Sequence, residues 1–316
     1  MYVLTYSEAC TIDIMNKTEL RRSCVMNILV IGGTRYFGIH MVNALIEKGH
    51  DVTVATRGIT PDRYGDKVKR IIFDRSDTES IKASLSNTYY DVVVDKIAYC
   101  SNDIRNVLDY LDCGKYIYMS STAVYEEKTM NTKESDYDGS EKELIWCNRS
   151  DFSYSEVKRQ AENALFQQYK DKNWMAVRYP VVLGKDDYTN RLLFYVEHVI
   201  KSIPMNIDNP DYQMGYIRSD EAGEFLAFLA EKDFKGTING SAHGTISLRE
   251  IINYVEEKTA IKAIITPEGD TAPFNGECSY SINTEKAENL GFSFSNLNDW
   301  IFSLLDFYLD RIISKK

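Results

Sequence analysis

The sequence predicts an α/β protein in which a doubly wound parallel sheet is followed by a smaller mixed α/β domain. Three observations support this fold class. Short apolar, β-branched runs alternate with segments of helical periodicity as far as Pro180. A glycine-rich turn stands directly between the first such run and the first helical segment. Beyond Pro180 the alternation gives way to helical segments separated by short strands.

The first strand and the first helix are the clearest elements. Asn27–Ile31 is a short apolar run, typical of a parallel strand buried on both faces. Ile39–Lys48 repeats apolar residues at helical spacing, and Gly49 follows it as a natural C-cap. The further strands are also short and apolar, at Val52–Ala55, Val68–Phe73, Asp91–Asp95, Tyr116–Met119 and Trp174–Val177. The helices between them are predicted near Glu79–Leu85, Asn102–Leu111 and Tyr154–Tyr169.

The chain beyond Pro180 reads as a smaller second unit. Its predicted helices are Arg191–Ser202, Ser219–Glu231, Ser247–Thr259 and Leu297–Ile313, with a short strand at Gly236–Asn239. We therefore divide the chain into a first domain, residues 26–180, and a second domain, residues 181–316, which would bind the substrate.

Residues 1–25 precede the first strong strand signal, which begins directly after Met26. We expect Met26 to be the natural start and residues 1–25 to come from an upstream start. The alternative is a short regulatory or packing extension.

The composition is that of an ordinary folded protein. Of 316 residues, 44% are apolar and 27% charged, which excludes disorder as the main state. The 47 acidic residues exceed the 37 basic ones, and the net charge of −10 argues against a nucleic-acid partner. The six cysteines and four histidines lack the spacing of a metal site or a disulfide framework. No span is apolar enough for a membrane helix, so we expect a cytoplasmic protein without a membrane partner.

The glycine turn has the chemistry of a dinucleotide site. It consists of Gly32, Gly33, Thr34, Arg35, Tyr36, Phe37 and Gly38. Glycines let the chain turn tightly and let backbone N–H groups approach a diphosphate, which the N-terminus of the following helix attracts. Residues 26–180 are therefore predicted to bind NAD(P). The alternative is a plain strand-to-helix turn that no longer binds a nucleotide.

The end of the second strand bears on the choice of cofactor. NAD sites usually place an acidic residue there for the ribose 2′-hydroxyl, whereas this chain has Arg57. Together with Arg35, Arg57 would suit a 2′-phosphate, so we favour NADP(H) over NAD(H). The alternative is that both arginines are solvated surface residues. Asp74, after the third strand, is a candidate adenine contact or a helix cap.

Four segments occur in the order found in the extended short-chain dehydrogenase/reductase superfamily: Gly32–Gly38, Ser120–Tyr125, Tyr154–Lys158 and Arg178–Pro180. The chain resembles its NAD-dependent epimerase/dehydratase group. The form of the glycine turn is similar to the atypical branch, which includes chloroplast stem-loop RNA-binding relatives. This resemblance implies a Rossmann fold and NAD(P) binding.

Tyr154 and Lys158 lie one helical turn apart and would share a helix face. A phenol has an ordinary pKa of about 10, which a neighbouring ammonium would lower, so Tyr154 would exchange a proton with the substrate. The resemblance implies that Lys158 also binds the nicotinamide ribose and that Ser121 holds the substrate oxygen. A second such pair, Tyr254 and Lys258, reads as an ordinary helix face.

The resemblance further implies that Tyr179, Pro180 and Val181 line the nicotinamide. The alternative for the whole set is a retained scaffold in which the candidate catalytic residues only pack.

Two departures from the family pattern narrow the reaction. No acidic residue follows Ser121 closely, which argues against dehydration, and Met214 stands where relatives usually place an arginine for a nucleotide diphosphate. We therefore expect an NAD(P)-dependent epimerase or reductase acting at an alcohol or carbonyl carbon of a sugar-like or other small molecule. A homodimer paired through the tyrosine helix is possible. The alternative is a non-catalytic NADP-binding or RNA-binding module.

Overall fold

The structure is a computed structural model that describes residues 25–86 and 88–314. The expectation about residues 1–25 falls outside the described residues, apart from Val25.

The strands, in chain order, are β1 (Asn27–Ile31), β2 (Asp51–Thr56), β3 (Lys69–Ile72), β4 (Tyr89–Asp95), β5 (Asp112–Met119), β6 (Trp174–Arg178), β7 (Val181–Leu183), β8 (Met205–Asn206), β9 (Gln213–Met214), β10 (Tyr216–Arg218), β11 (Gly236–Asn239), β12 (Ile246–Ser247) and β13 (Asp270–Thr271). The α-helices are α1 (Phe37–Glu47), α2 (Thr78–Leu85), α3 (Ser101–Leu108), α4 (Tyr154–Gln167), α5 (Arg191–Lys201), α6 (Ser219–Ala230), α7 (Leu248–Thr259), α8 (Glu285–Asn289) and α9 (Ile301–Ile313).

Seven of these strands form one sheet in the order β11–β6–β5–β4–β1–β2–β3, and every neighbouring pair is parallel. The chain begins in the middle of the sheet, runs outward to β3 and returns through β4 toward the other edge. The predicted doubly wound sheet is thus confirmed. The order reverses between β1 and β4, and ligands of such sheets bind at that reversal, outside the carboxyl ends of the strands.

Helices cover both faces of the sheet. On one face α1 and α6 pack Met41, Leu45 and Leu226 against the strands. On the other face α2, α3 and α4 contribute apolar side chains such as Ile104 and Ala161. Each fully buried aliphatic side chain stabilises the fold by about 1.5–3 kcal/mol relative to its exposed state. The two apolar layers hold the strand ends in place.

The sheet takes its last strand from beyond Pro180. β11 pairs with β6 in the register Gly236 to Met175. α6 crosses α1 so closely that a Cβ on Gly223 would lie 2.6 Å from the Met41 nitrogen. Both elements, expected in the second domain, therefore pack with the first. The division of the chain at residue 180 stays a prediction.

A second core lies within the C-terminal part of the chain. α5, α7 and α9 enclose it together with the strand pairs β7–β10, β8–β13 and β9–β12. The helix predicted from Leu297 begins later, because a 3-10 turn over Leu297–Asp299 ends at Trp300. Among the described residues, no helix is both long enough and apolar enough to cross a membrane.

Candidate active site

The loop between β1 and α1 forms one side of the site. Gly32 and Gly33 have φ angles of 99° and 101°, which glycine adopts without strain. A Cβ on Gly38 would lie 2.8 Å from the Gly33 Cα, so the first turn of α1 and the loop are in direct contact. The Tyr64 hydroxyl donates a 2.7 Å hydrogen bond to the Gly33 carbonyl oxygen and anchors the loop. A side chain added at Gly38 would push the loop outward, and loss of the Tyr64 hydroxyl would remove the anchor of the loop.

Tyr36 stands before α1 with φ 57° and ψ −145°, a conformation that non-glycine residues rarely adopt. Its hydroxyl donates to the Val182 carbonyl oxygen and its ring packs against Phe37. Thr34 is half-buried beside them. No side chain among the described residues caps the N-terminus of α1, although the Gly38 and Ile39 amides donate to the carbonyl oxygens of Arg35 and Tyr36. The positive end of the helix dipole still favours an anion there. The loop therefore has the tight backbone shape and the helix N-terminus that a dinucleotide diphosphate requires.

Arg35 and Arg57, which are predicted to bind a 2′-phosphate, come from one corner of the sheet. Arg35 is exposed, and its Nε donates a 3.1 Å hydrogen bond to Thr60 Oγ1, a residue of the loop after β2. Arg57 directly follows β2, whose neighbour β3 leads into Asp74. The Asp74 carboxylate accepts hydrogen bonds from the Ser76 amide and hydroxyl, which lower the pKa of Asp74. Asp74 thus fixes its own loop, and it does not cap α2.

Lys158 is fully buried beneath the first turn of α4. Its Nζ donates hydrogen bonds of 2.9 Å to the Ala98 carbonyl oxygen and 2.8 Å to that of Met119. The ammonium therefore joins the ends of β4 and β5 and has one N–H left to donate. Burial lowers the pKa of Lys158 to about 7. The Tyr154 ring lies above it, with its centroid 6.0 Å from Nζ.

The pKa of Tyr154 is raised, contrary to the sequence-based expectation. Desolvation raises it, and hydrogen bonding with the Ser121 side chain, followed by the charges of Arg191 and Arg149, offsets only part of this effect. The expected lowering of the Tyr154 pKa by Lys158 is wrong for the protein by itself, because desolvation outweighs the groups that lower it. In this state the phenol stays protonated at neutral pH.

Ser121 follows β5 and opens a 3-10 turn. Its Oγ accepts a 3.2 Å hydrogen bond from the Ala123 amide, which leaves the hydroxyl proton free to donate. The structure thus brings Tyr154, Lys158 and Ser121 together, as predicted. The neighbouring Ser120 hydroxyl points inward and donates to Glu162 at 2.5 Å.

A buried ion pair behind the serines went unnoticed in the sequence. Glu162 and Arg178 are both fully buried, and the Arg178 Nε donates to Glu162 at 3.0 Å. Arg178 also donates to the Tyr125 hydroxyl and to two carbonyl oxygens of the loop after β5. Tyr125 in turn donates to Asn239 at 2.6 Å. This network ties α4, β6 and β11 together behind the site.

Lys96 is a second residue that went unnoticed. It follows β4, and its side chain runs beneath the glycine loop, against Gly38. The sequence displays this residue only as a lysine directly after a buried strand. The structure pairs that strand with β1.

The residues expected to line the nicotinamide lie next to this loop. Tyr179 is buried, donates a 2.8 Å hydrogen bond to the Ala222 carbonyl oxygen, and meets the Phe37 ring edge-on. Pro180 is also buried, and Val181 is half-buried at the start of β7. Tyr179 supports Phe37 from behind.

Two arginines in the C-terminal part of the chain have different environments. Arg218 is paired with Asp220. Arg191 begins α5, and its Nε donates to the Thr189 hydroxyl at 3.0 Å. Met214, at the place of the expected diphosphate arginine, is buried.

The second tyrosine–lysine pair is structural. The Tyr254 hydroxyl donates to Asp306 at 2.8 Å, and the Lys258 ammonium pairs with the same carboxylate at 3.3 Å. This pair joins α7 to α9, as expected of an ordinary helix face.

Comparisons with known proteins agree with the fold. The chain resembles the chloroplast stem-loop binding protein of 41 kDa b from Arabidopsis thaliana, with 26% identity over 223 residues, 65% of this chain. The chain spans about half, 55%, of the length of that relative.

Two solved structures have the same fold. UDP-glucose 4-epimerase from Thermotoga maritima with UDP-glucose has a TM-score of 0.72 and 18% identity, over 91% of this chain and 100% of that chain. The Thermus thermophilus UDP-glucose 4-epimerase complex with NAD has a TM-score of 0.63 and 17% identity, over 89% and 98%. The model of the NAD dependent epimerase/dehydratase family matches residues 28–215, and the chain belongs to that family.

Proposed function

We propose that this protein is an NAD(P)-dependent enzyme that oxidises or reduces an alcohol or carbonyl carbon of a small, sugar-like molecule. The observation that carries the proposal is the assembly of Tyr154, Ser121 and Lys158 at the carboxyl edge of the sheet, beside a glycine loop suited to a diphosphate. A bound nicotinamide would accept or supply the hydride.

Tyr154 acts as the general acid or base. Its raised pKa keeps the phenol protonated at neutral pH, the form that donates a proton to a carbonyl oxygen during reduction. Ser121 donates its free hydroxyl proton to the same oxygen and orients it. Oxidation needs the reverse transfer and therefore a lower pKa of Tyr154.

Lys158 orients the cofactor ribose with its remaining N–H. Two carbonyl oxygens fix its ammonium, so the third donor points in one direction. Because Lys158 comes from the helix that presents Tyr154, it couples the position of the cofactor to that of the acid. An oxidised nicotinamide nearby would lower the pKa of Tyr154 and favour the oxidative half of an epimerisation.

NADP(H) is the favoured cofactor. Arg35 is held toward the loop after β2, and Arg57 directly follows that strand, so both arginines come from the corner where a ribose 2′-phosphate would lie. The similar structure from Thermus thermophilus contains NAD, whereas this chain has Arg57 where NAD sites usually place an acidic residue.

The substrate is a small molecule without a nucleoside diphosphate. Structural neighbours bind UDP-sugars, yet the position expected to hold their diphosphate is the buried Met214. The loop after Tyr125 adds Glu126 and Glu127 to a cavity of about 530 Å³ that Ser155 also lines. Both carboxylates are exposed and would repel a dianionic ligand.

The test begins with the nucleotide that co-purifies with the protein, followed by titrations with NADPH and NADH monitored by nicotinamide fluorescence. Exchangeable NADPH, bound more tightly than NADH, supports a reductase. Arg57→Ala is then expected to reduce the difference between the affinities for NADPH and NADH. Tightly retained NAD⁺ supports an epimerase that recycles its cofactor and refutes the 2′-phosphate role of the arginines. Failure to bind either nucleotide refutes the proposal.

A stem-loop binding function is the second candidate, because the Arabidopsis relative has that name. The net charge of −10 opposes it, since phosphate contacts dominate nucleic-acid affinity. A gel shift with an RNA hairpin at low salt decides the matter: a salt-sensitive shift supports this candidate, and no shift removes it.

A homodimer paired through α4 is disfavoured. The loop between Tyr125 and α4 lies along this helix, where Gln160 and Asn163 donate to the Glu143 carbonyl oxygen and Gln167 donates to that of Gly139. This loop thus covers the face of α4 through which two copies of the chain would have to pair. Light scattering that shows a monomer supports this view.

A further inference from the structure

We propose that Lys96 is an anion-binding residue of the dinucleotide site and that its ammonium neutralises the diphosphate of the cofactor. This inference rests on the proposed function and adds to it a cationic side chain that the glycine turn does not contain.

The position of Lys96 follows from the sheet. β4 lies beside β1, and the Lys96 amide extends the pairing by donating a 3.1 Å hydrogen bond to the Ile31 carbonyl oxygen. Lys96 therefore stands at the strand reversal, next to the glycine loop. Its Cδ and Cε lie 2.9 Å and 3.0 Å from the place that a Cβ on Gly38 would take. The lysine stem runs through the space that the third glycine leaves open.

The ammonium has no carboxylate partner. Within residues 25–86 and 88–314, its Nζ forms no salt bridge or hydrogen bond with another side chain or carbonyl oxygen, and it lies 4.3 Å from the centroid of the Phe37 ring. The charges that act on it are Asp186, which is already bonded to His40 and Ser219, and Arg35, which repels it. Two cations, Lys96 and Arg35, thus stand at the loop, and the hydrogen bonds of Asp186 go to His40 and Ser219.

A packing role alone explains the stem of Lys96 but not its charge. Methionine would fill the same space without placing an ammonium in a half-buried position, where a contact with one aromatic ring replaces little of the lost hydration. Burial lowers the pKa of Lys96 to about 8, which shows that the protein by itself disfavours the charge. A diphosphate beside the uncapped N-terminus of α1 would supply the missing counter-charge.

The test compares Lys96→Met with the wild-type protein for three ligands: NADPH, ADP-ribose, and 2′-AMP, which contains no diphosphate. The variant is expected to lose about tenfold or more affinity for NADPH and ADP-ribose and to keep that for 2′-AMP within about twofold. Lys69→Met is the matched control, because Lys69 is exposed and begins β3, at the edge of the sheet opposite to the glycine loop. Its affinities should match those of the wild type.

A measurement on the wild-type protein covers the case in which Lys96→Met does not fold. An anion beside Lys96 raises the pKa of its ammonium, so at pH 8 the protein should take up protons when ADP-ribose binds. Calorimetry in two buffers with different ionisation enthalpies measures this uptake. Unchanged ADP-ribose affinity in Lys96→Met, or no proton uptake by the wild type, overturns the inference. If the wild type binds NADPH in those cases, the proposed function stands without it.

Discussion

Removal of the charge from Glu162 should be one of the most destabilising single changes in this protein. Glu162 is fully buried and accepts hydrogen bonds from Ser120 and from two nitrogens of Arg178. In Glu162→Gln, the side-chain amide would present N–H groups to a guanidinium that also only donates. Arg178 would become a buried, unneutralised cation.

The expected cost is about 3–5 kcal/mol in the free energy of unfolding, the usual effect of removing one partner of a buried ion pair. A domain is typically stable by about 5–15 kcal/mol, so the variant should unfold at a much lower urea concentration. The matched control is Glu197→Gln, because Glu197 pairs with Lys201 on the exposed face of α5. That change should cost no more than about 0.5 kcal/mol.

Urea unfolding, followed by tryptophan fluorescence and by circular dichroism, measures both variants. The double variant Glu162→Leu with Arg178→Met should cost less than the sum of the two single changes, because the two charges disappear together. A loss of stability in Glu162→Gln no larger than in Glu197→Gln would refute the assignment of this pair as a structural tie behind the site.

Three further predictions concern the site itself. Tyr154→Phe should lower kcat by about 100-fold or more while NADPH affinity changes little, whereas Tyr254→Phe should keep the wild-type rate in the same assay. Gly38→Ala should abolish NADPH binding, because its Cβ would meet the Gly33 Cα at 2.8 Å, while Gly215→Ala, which meets its neighbours at 3.6 Å or more, should bind normally in the same fluorescence titration. NADPH affinity should fall as the pH rises through about 8, where Lys96 loses its proton, and Lys96→Met should lack this step in the titration. A wild-type affinity that stays flat between pH 7 and 9 would contradict the last expectation.

Elements defined by local signals were predicted well. β1 has the bounds expected from its apolar run, and α4 begins at Tyr154 as expected. Gly49 ends the first helix with φ 84°, the conformation that a glycine C-cap adopts. Each of these features depends on residues within a few positions of one another, which the sequence displays directly.

Features defined by distant partners could not be predicted. The two-residue strands such as β12 exist because another short strand lies beside them. β11 belongs to the main sheet because the edge of β6 is open to it. The pKa of Tyr154 depends on desolvation, and the partner of Glu162 comes from another strand. The two carbonyl oxygens that accept hydrogen bonds from Lys158 lie at the ends of separate strands, so they likewise have no local signal in the sequence.

Three lysines lie in or beside the main sheet: Lys115 and Lys158 are buried, and Lys96 is half-buried. Their hydrogen bonds distinguish a ligand site from a scaffold. Lys115 donates to the carbonyl oxygens of Leu229 and Ala230, where the C-terminus of α6 provides negative potential, and so it stabilises the fold. Lys158 likewise donates to two backbone carbonyl oxygens, whereas the described residues give the Lys96 ammonium no hydrogen-bond acceptor. Lys158 keeps one N–H beyond its two carbonyl acceptors, and Lys96 lies over an aromatic ring.

Burying an ammonium costs free energy that an apolar residue of the same length would save. A chain that used this region only as a scaffold would have no need of the third N–H of Lys158 or of the ammonium of Lys96. Lys158 and Lys96 lie at the carboxyl edge of the sheet, beside Tyr154 and the glycine loop. We therefore propose that an anionic, ribose-containing ligand uses both ammonium groups, which favours a working cofactor site over a retired one.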